Sequence, residues 1–277
     1  MTTDMIMSIE MEKLLFNGYN GNLLVQLQTN GVRKVSWDGE AKPVQPLSID
    51  MKITDKCLRC CEFCYESAKQ KCDTEGENVR TMEHVIGRLI NFQPGTEVAI
   101  GGGDIMLFSH RIFEEMLKWL ERKGFISNCS VHYQTLLDFS GKIKRYQHGN
   151  CGLLYGVGVS VPEVTDKILI DIMQTKVKNI VIHLIAGIHD FDDLCRVLDA
   201  GFPALVLGYK CIGRGRYYYD KNYSEVLGKV FSFTEKELKS LSSRKKSVVS
   251  FDNLAIRQLD LARIYAGDVF DTCFMGK

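Results

Sequence analysis

Two hydrophobic periodicities alternate along most of the chain. Short apolar runs rich in β-branched residues, at 49–54, 97–100, 130–134, 153–160, 179–185 and 204–209, predict buried strands. Between them the apolar positions recur at helical spacing. Met82, Val85, Ile86, Leu89 and Ile90 share one face. Ile112, Met116, Trp119 and Leu120 share another, with Ser109 as N-cap and Gly124 as stop. Val164, Ile168, Ile172 and Met173 form a third stripe, and Leu194, Val197 and Leu198 a fourth, closed by Gly201. The segment 138–148 carries a weaker helical pattern.

Strand–helix alternation of this kind predicts right-handed βαβ units and an all-parallel sheet, either doubly wound or curled into a full or partial barrel. In both cases ligands collect at the carboxyl ends of the strands. The first 47 residues break the rhythm. Leu23, Val25 and Leu27 alternate, Asn30-Gly31 is a type I′ turn signal, and Val35 and Trp37 alternate again, which predicts a β-hairpin capping one end of the core. Near the other terminus Thr234 and Glu237 form a capping-box pair, and 252–267 reads as a final helix with Asp252 as N-cap and Gly267 as stop.

Composition narrows the function classes. Lys and Arg number 35 against 34 Asp and Glu, a formal charge of +1 that supplies no general attraction to nucleic acid or an anionic membrane. The run Arg244-Lys245-Lys246 reads as a solvated helix end. No stretch approaches the roughly 18 consecutive apolar residues of a membrane helix, and the acidic residues near the start predict no export signal. Ten cysteines in 277 residues are too few for a disulfide scaffold, so the expected setting is a reducing cytoplasm. There, a tight cysteine cluster binds metal or does chemistry.

Such a cluster exists. Cys57, Cys60, Cys61 and Cys64 fall within the eight residues CLRCCEFC, just past the first predicted parallel strand. A structural zinc site favours two separated CxxC knuckles, and no second knuckle follows. Adjacent Cys60 and Cys61 project in divergent directions, so if three of the four ligate, the natural trio is Cys57, Cys61 and Cys64.

The trio's C-x3-C-x2-C spacing, with Phe63 before the last cysteine, strongly resembles the radical S-adenosylmethionine (radical SAM) superfamily. That resemblance implies a [4Fe-4S] cluster held by three cysteines, with its fourth iron open to S-adenosylmethionine. Three thiolates on a short loop leave an exchangeable position, the mark of a catalytic centre as opposed to a structural one. Gly101-Gly102-Gly103-Asp104, after the second strand, resembles the family's glycine-glycine-acid motif, which contacts the methionine amino group. Here Asp104 stands where Glu is usual and Ile105 where Pro is usual. The resemblance further implies a ribose or carboxylate contact at Ser160 and adenine against Ala186-Gly187-Ile188. In the sixth strand's tip, Lys210 and Arg214 are candidates to grip a carboxylate or phosphate. His183, in mid-strand, reads as a core or barrel-lining residue.

The resulting expectation is a partial (β/α)6 barrel of parallel strands at 48–277 with a C-terminal helical segment, preceded by an N-terminal β-hairpin extension at 1–47. By resemblance it takes electrons from an external donor such as flavodoxin or ferredoxin and cleaves S-adenosylmethionine to a 5′-deoxyadenosyl radical. Two alternatives stay open: a structural metal-binding protein, and a non-catalytic Fe–S/SAM-binding module. Cys273 stands nearly alone near the end, so no auxiliary cluster is expected. The substrate has no signature in the sequence.

Overall fold

The computed structural model describes residues 14–28, 33–66, 74–147, 153–241 and 248–265. Three antiparallel strands open the fold: β1 (Leu14–Asn20), β2 (Leu23–Gln28) and β3 (Arg33–Ser36). Seven parallel strands follow: β4 (Ser48–Thr54), β5 (Glu97–Gly102), β6 (Ile126–His132), β7 (Gly156–Ser160), β8 (Ile180–Ile185), β9 (Ala204–Leu207) and β10 (Val249–Phe251). The helices between them are α1 (Glu75–Leu89), α2 (His110–Arg122), α3 (Tyr133–Gln147), α4 (Asp166–Gln174) and α5 (Phe191–Asp199). Three more, α6 (Arg214–Lys221), α7 (Tyr223–Phe231) and α8 (Glu235–Ser240), separate β9 from β10, and α9 (Asn253–Gln258) and α10 (Leu261–Ile264) close the described chain.

The strand order β10-β9-β8-β7-β6-β5-β4 decides the architecture. A doubly wound sheet reverses direction at a switch point. Here each parallel strand pairs with the next in sequence, so right-handed crossovers put the connecting helices on one face. Among the described residues β4 and β10 are the two ends of the sheet, which makes it a partial barrel, as expected. The helix-covered face is predominantly apolar: Val98, Ile100, Val159, Ile182, Leu184 and Val206 have no exposed surface. The alternate positions line the concave face; Gly101, Ser130, Gly158, Ser160 and His183 are small or polar there, while Val181, Ile185, Leu205 and Leu207 make its β8–β9 side apolar. Gly158 is glycine for a packing reason, since a Cβ there would lie 2.2 Å from His183 Cε1.

The antiparallel sheet closes the amino-terminal end of the barrel strands. Arg33 pairs with Glu97, the first residue of β5. Tyr155, one residue before β7, donates from its hydroxyl to Gln28 O at 3.2 Å. The Gln45 amide reaches Thr96 Oγ1 at 3.0 Å. Leu23, Val25 and Leu27 are buried as their alternation predicts. A further strand, β1, precedes this hairpin and pairs with β2 through a turn at Gly21, while β3 ends before Trp37. The Asn30-Gly31 turn, the basic run at 244–246, and Cys72, Cys151, Gly267 and Cys273 lie outside the described residues.

Several boundaries differ from the sequence reading. The third strand runs Ile126–His132, not 130–134, because its apolar-side positions include the polar Ser127, buried against the helices. Tyr133 already starts α3, whose Leu136, Ile143 and Tyr146 are buried; tertiary burial makes a helix of the weak 138–148 pattern, with a kink at Phe139. The fourth strand begins at Gly156, since Leu154 turns into the core with its N–H on Tyr146 O. Asp260, in the left-handed region at φ 50°, splits the expected last helix into α9 and α10. β10, three residues long, is too short to show periodicity and went unpredicted.

Candidate metal centre

The cysteine loop leaves β4 at Thr54, whose hydroxyl accepts the Lys56 N–H at 3.0 Å. Cys57, Cys61 and Cys64 are half-buried, whereas Cys60 is exposed. Cys60 adopts φ 53°, a left-handed conformation uncommon outside glycine, and its thiol lies 3.6 Å from Leu58 O. The loop then tightens, with Cys64 N–H on Cys61 O at 3.2 Å. Cys57 Sγ accepts the Arg59 N–H at 3.4 Å.

Cys57 and Cys61 each respond to burial and to their neighbours. Burial pushes the Cys57 thiol up; the Arg59 N–H opposes this, and Asp104 and Cys64 add to it. Burial also pushes Cys61 up, reinforced by Cys64 and then Cys57. Three thiolates packed together repel, and a positively charged metal group relieves that repulsion by ligating them. Among the described residues, no three His, Cys, Asp or Glu side chains converge on one point as a single ion requires. An iron–sulfur cluster makes a different demand, because each thiolate binds a different iron. The donor set of Cys57, Cys61 and Cys64 fits such a cluster by its chemistry.

The glycine–acid loop after β5 is built onto this cysteine loop. Gly103 N donates to Thr54 O at 2.8 Å and Asp104 N to Lys56 O at 2.7 Å. A Cβ on Gly103 would lie 2.1 Å from Lys56 O, and one on Gly102, at φ 117°, would lie 2.2 Å from Thr54 O. Only glycine admits this backbone-to-backbone approach. Asp104 is 5% exposed. Its carboxylate accepts from Met106 N at 3.1 Å and from the Thr135 hydroxyl at 2.7 Å, and it stands 3.6 Å from Arg59 Nε. Arg59 also donates to Thr135 Oγ1 at 3.0 Å and to Asp138 at 2.8 Å. The resemblance assigns this motif to a methionine amino group; the contacts present tie it to the cysteine loop and α3.

Two further cations meet the loop and its continuation. Arg214 Nε donates to Cys61 O at 3.0 Å, so it braces the loop. The Lys210 ammonium sits 3.9 Å above the Tyr65 ring. Burial and then Glu66 push the Tyr65 hydroxyl up to about 12. Phe63 packs edge-on to Tyr218 at 5.9 Å between ring centroids. Ala186 and Ile188 are buried, Ile188 beside Tyr209 and Val226.

Ser160 ends β7 on the concave face, where register pairs it with His132 on β6 and His183 on β8. The three form a polar row across the barrel at the level of the strand tips. His132 Nδ1 accepts the Gln134 N–H at 3.1 Å, which leaves Nε2 as the donor in the neutral ring. Burial pulls His132 down and His183 down to about 4. Sequence reasoning missed Arg59, Thr135 and His132. Arg59 was visible inside the cysteine motif itself, but its reach to Asp104 and α3 depends on the fold.

No family model and no curated protein matches the chain. Among solved structures, it is similar to a dihydropteroate synthase in complex with pteroic acid from Coxiella burnetii. That likeness covers 88% of this chain and 97% of the synthase, at 8% identity and a TM-score of 0.29, a level at which no activity transfers.

Proposed function

We propose that the chain is a cytoplasmic radical SAM enzyme. One observation carries the reading: the three cysteines of the C-x3-C-x2-C motif are half-buried at the carboxyl end of the first parallel strand, while Cys60 between them is exposed. The carboxyl end is where α/β barrels assemble their active sites.

Cys57, Cys61 and Cys64 would hold a [4Fe-4S] cluster. When bound and reduced by a carrier such as flavodoxin or ferredoxin, the cluster supplies the electron that cleaves S-adenosylmethionine to methionine and a 5′-deoxyadenosyl radical, which takes a hydrogen atom from the substrate. The protein's part is positioning and exclusion of water. Arg59 and Arg214 brace the loop, on Asp104 and Asp138 and on Cys61 O respectively. Phe63 seals it against Tyr218. Gly102 and Gly103 set how closely the second strand's tip approaches the loop. Ser160, with Lys210 and Arg214, supplies hydrogen-bond donors for polar groups of S-adenosylmethionine or substrate.

The test is anaerobic reconstitution with iron and sulfide, then an assay for 5′-deoxyadenosine with S-adenosylmethionine and dithionite. Iron uptake with 5′-deoxyadenosine formation supports the enzyme. Stoichiometric zinc without iron uptake points to a structural metal protein. Iron and S-adenosylmethionine binding without cleavage points to a binding module.

A further inference from the structure

β4 pairs with β5 on one side only, and its outer edge carries free backbone. Leu47 O accepts the Glu97 N–H at 3.0 Å. Successive residues of a strand turn their backbone groups to opposite edges. Ser48, Asp50 and Lys52 therefore point their N–H and C=O groups away from β5, and among the described residues nothing meets them. α1 overhangs this edge. Between strand and helix lies a groove of about 630 Å³, with Ile49 and Met51 of β4 and Val85 and Leu89 of α1 at its apolar base.

The helix wall of the groove carries Arg80, His84 and Arg88, four residues apart on one flank of α1 and all exposed. Among the described residues no acid pairs with either arginine. The acids around the groove are committed elsewhere or turned away. Glu77 caps its own helix, accepting from Thr74 N at 2.7 Å. Asp55 pairs with Lys56 at 2.8 Å. Asp50 projects by alternation to the concave face, opposite to Ile49 and Met51, and Lys52 on that same face pairs with Glu66. Two guanidinium groups and an imidazole thus stand unopposed over free strand backbone. The spacings also match. Four residues of helix rise about 6 Å, and two residues of strand rise about 6.6 Å. Acidic side chains at alternate positions of an added strand would meet the three groups one for one.

We propose that this groove binds an extended acidic segment of a partner protein, which joins β4 as an added strand and sets alternate Glu or Asp side chains against Arg80, His84 and Arg88. This goes beyond the reading above and holds whatever the cysteines bind. Main-chain hydrogen bonds to Ser48, Asp50 and Lys52 supply affinity, and the basic stripe supplies selectivity. A second copy of this chain is a poorer occupant. Antiparallel two-fold pairing of β4 with itself keeps both copies of α1 on the same side of the joined sheet, so one basic stripe faces the other. β4 ends at Thr54, just before Cys57, so the added strand runs alongside the approach to the cysteine loop.

The experiment measures binding of fluorescein-labelled peptides of 7 residues, the length of β4, to the full chain by anisotropy, with hydrogen exchange at residues 48–52 as a second readout. One peptide alternates Glu with Val or Thr. Of two controls, one carries Lys at the Glu positions and the other gathers the same Glu residues at one end. At low salt the alternating acidic peptide should bind about tenfold more tightly than either control, and its advantage over the lysine peptide should narrow as salt screens the charges. It should slow exchange at 48–52 and leave α2 unchanged. Arg80→Glu combined with Arg88→Glu should weaken binding on the order of tenfold and remove most of the salt dependence. Asp50→Pro deletes an outward N–H and no bond to β5, so it should weaken binding about two- to tenfold at every salt concentration. Equal binding by parent and both variants would overturn the proposal, as would equal binding of the acidic and lysine peptides. Exchange at 48–52 as slow as in β5 without any peptide would mean that the edge is already covered, and would overturn it too. So would single-stranded RNA that displaces the peptide and binds this face more tightly. None of these outcomes depends on iron: a chain that binds the peptide but forms no 5′-deoxyadenosine loses the enzyme reading and keeps this one.

Discussion

Asp104 offers the sharpest test of what the glycine–acid loop does. Its carboxylate is 5% exposed and engaged by Met106 N, the Thr135 hydroxyl and Arg59. Asp104→Asn keeps an acceptor for Met106 N and a group that Thr135 can meet by rotating its hydroxyl. It removes the negative charge facing Arg59. Breaking a buried charge pair outright costs about 3–5 kcal/mol. Here Arg59 retains Asp138 at 2.8 Å, so the cation is not stranded and the lower range for a hydrogen bond to a charged group applies, about 1.5–3 kcal/mol. For a chain of this size that corresponds to a fall in Tm of roughly 3–12 °C. Thermal and urea unfolding of the metal-free protein reads it directly, without a contribution from cluster binding. Because the carboxylate anchors Arg59 on the cysteine loop, reconstituted Asp104→Asn should also retain less iron. The opposite pattern, unchanged Tm and iron content with lost S-adenosylmethionine binding, would refute the tether and show that the carboxylate serves a ligand.

Three further outcomes follow from the same geometry. Alanine at Cys57, Cys61 or Cys64 should abolish stable iron binding, measured by iron and sulfide content, while Cys60→Ala should leave it intact; equal loss at Cys60 would mean the ligand register is wrong. Gly103→Ala places a Cβ 2.1 Å from Lys56 O and should destabilise by about 1–3 kcal/mol while lowering iron retention, since the cysteine loop must shift; full iron content at unchanged stability would show the loop to be pliable. His189 is 1% exposed, and burial pulls its imidazole from 6.5 to about 4. The unfolded chain therefore takes up the proton first, so stability rises with pH through this window and on the order of 3 kcal/mol is lost as pH falls from 6.5 to 4. Urea midpoints for parent and His189→Gln at pH 7 and 4.5 check this: the variant's loss on acidification should be smaller, and equal losses would refute it.

The glycines at the end of β5 mark how far residue patterns reach. Three glycines and an acid at a strand's carboxyl end predicted close backbone approach at positions 101–104. The approach exists, at Gly102 and Gly103, but the backbone approached is that of Thr54 and Lys56. A motif states that space is needed and leaves open what fills it. The trio of cysteines was legible because ligand spacing on one loop is a local property. The brace from Arg214 was not, because 153 residues separate it from Cys61.

By itself the sequence determined the elements whose signals are local. These are the parallel strands near positions 49–54, 97–100, 179–185 and 204–209, the helices with clean apolar stripes, and the cysteine spacing. Only the tertiary structure decided between a doubly wound sheet and an open barrel, because strand order is a long-range pairing that periodicity does not encode. It also turned α3 from a weak pattern into a formed helix through burial of Leu136, Ile143 and Tyr146. And it brought His132, Ser160 and His183 into one row, since strand register, and not separation along the chain, sets which side chains share a face.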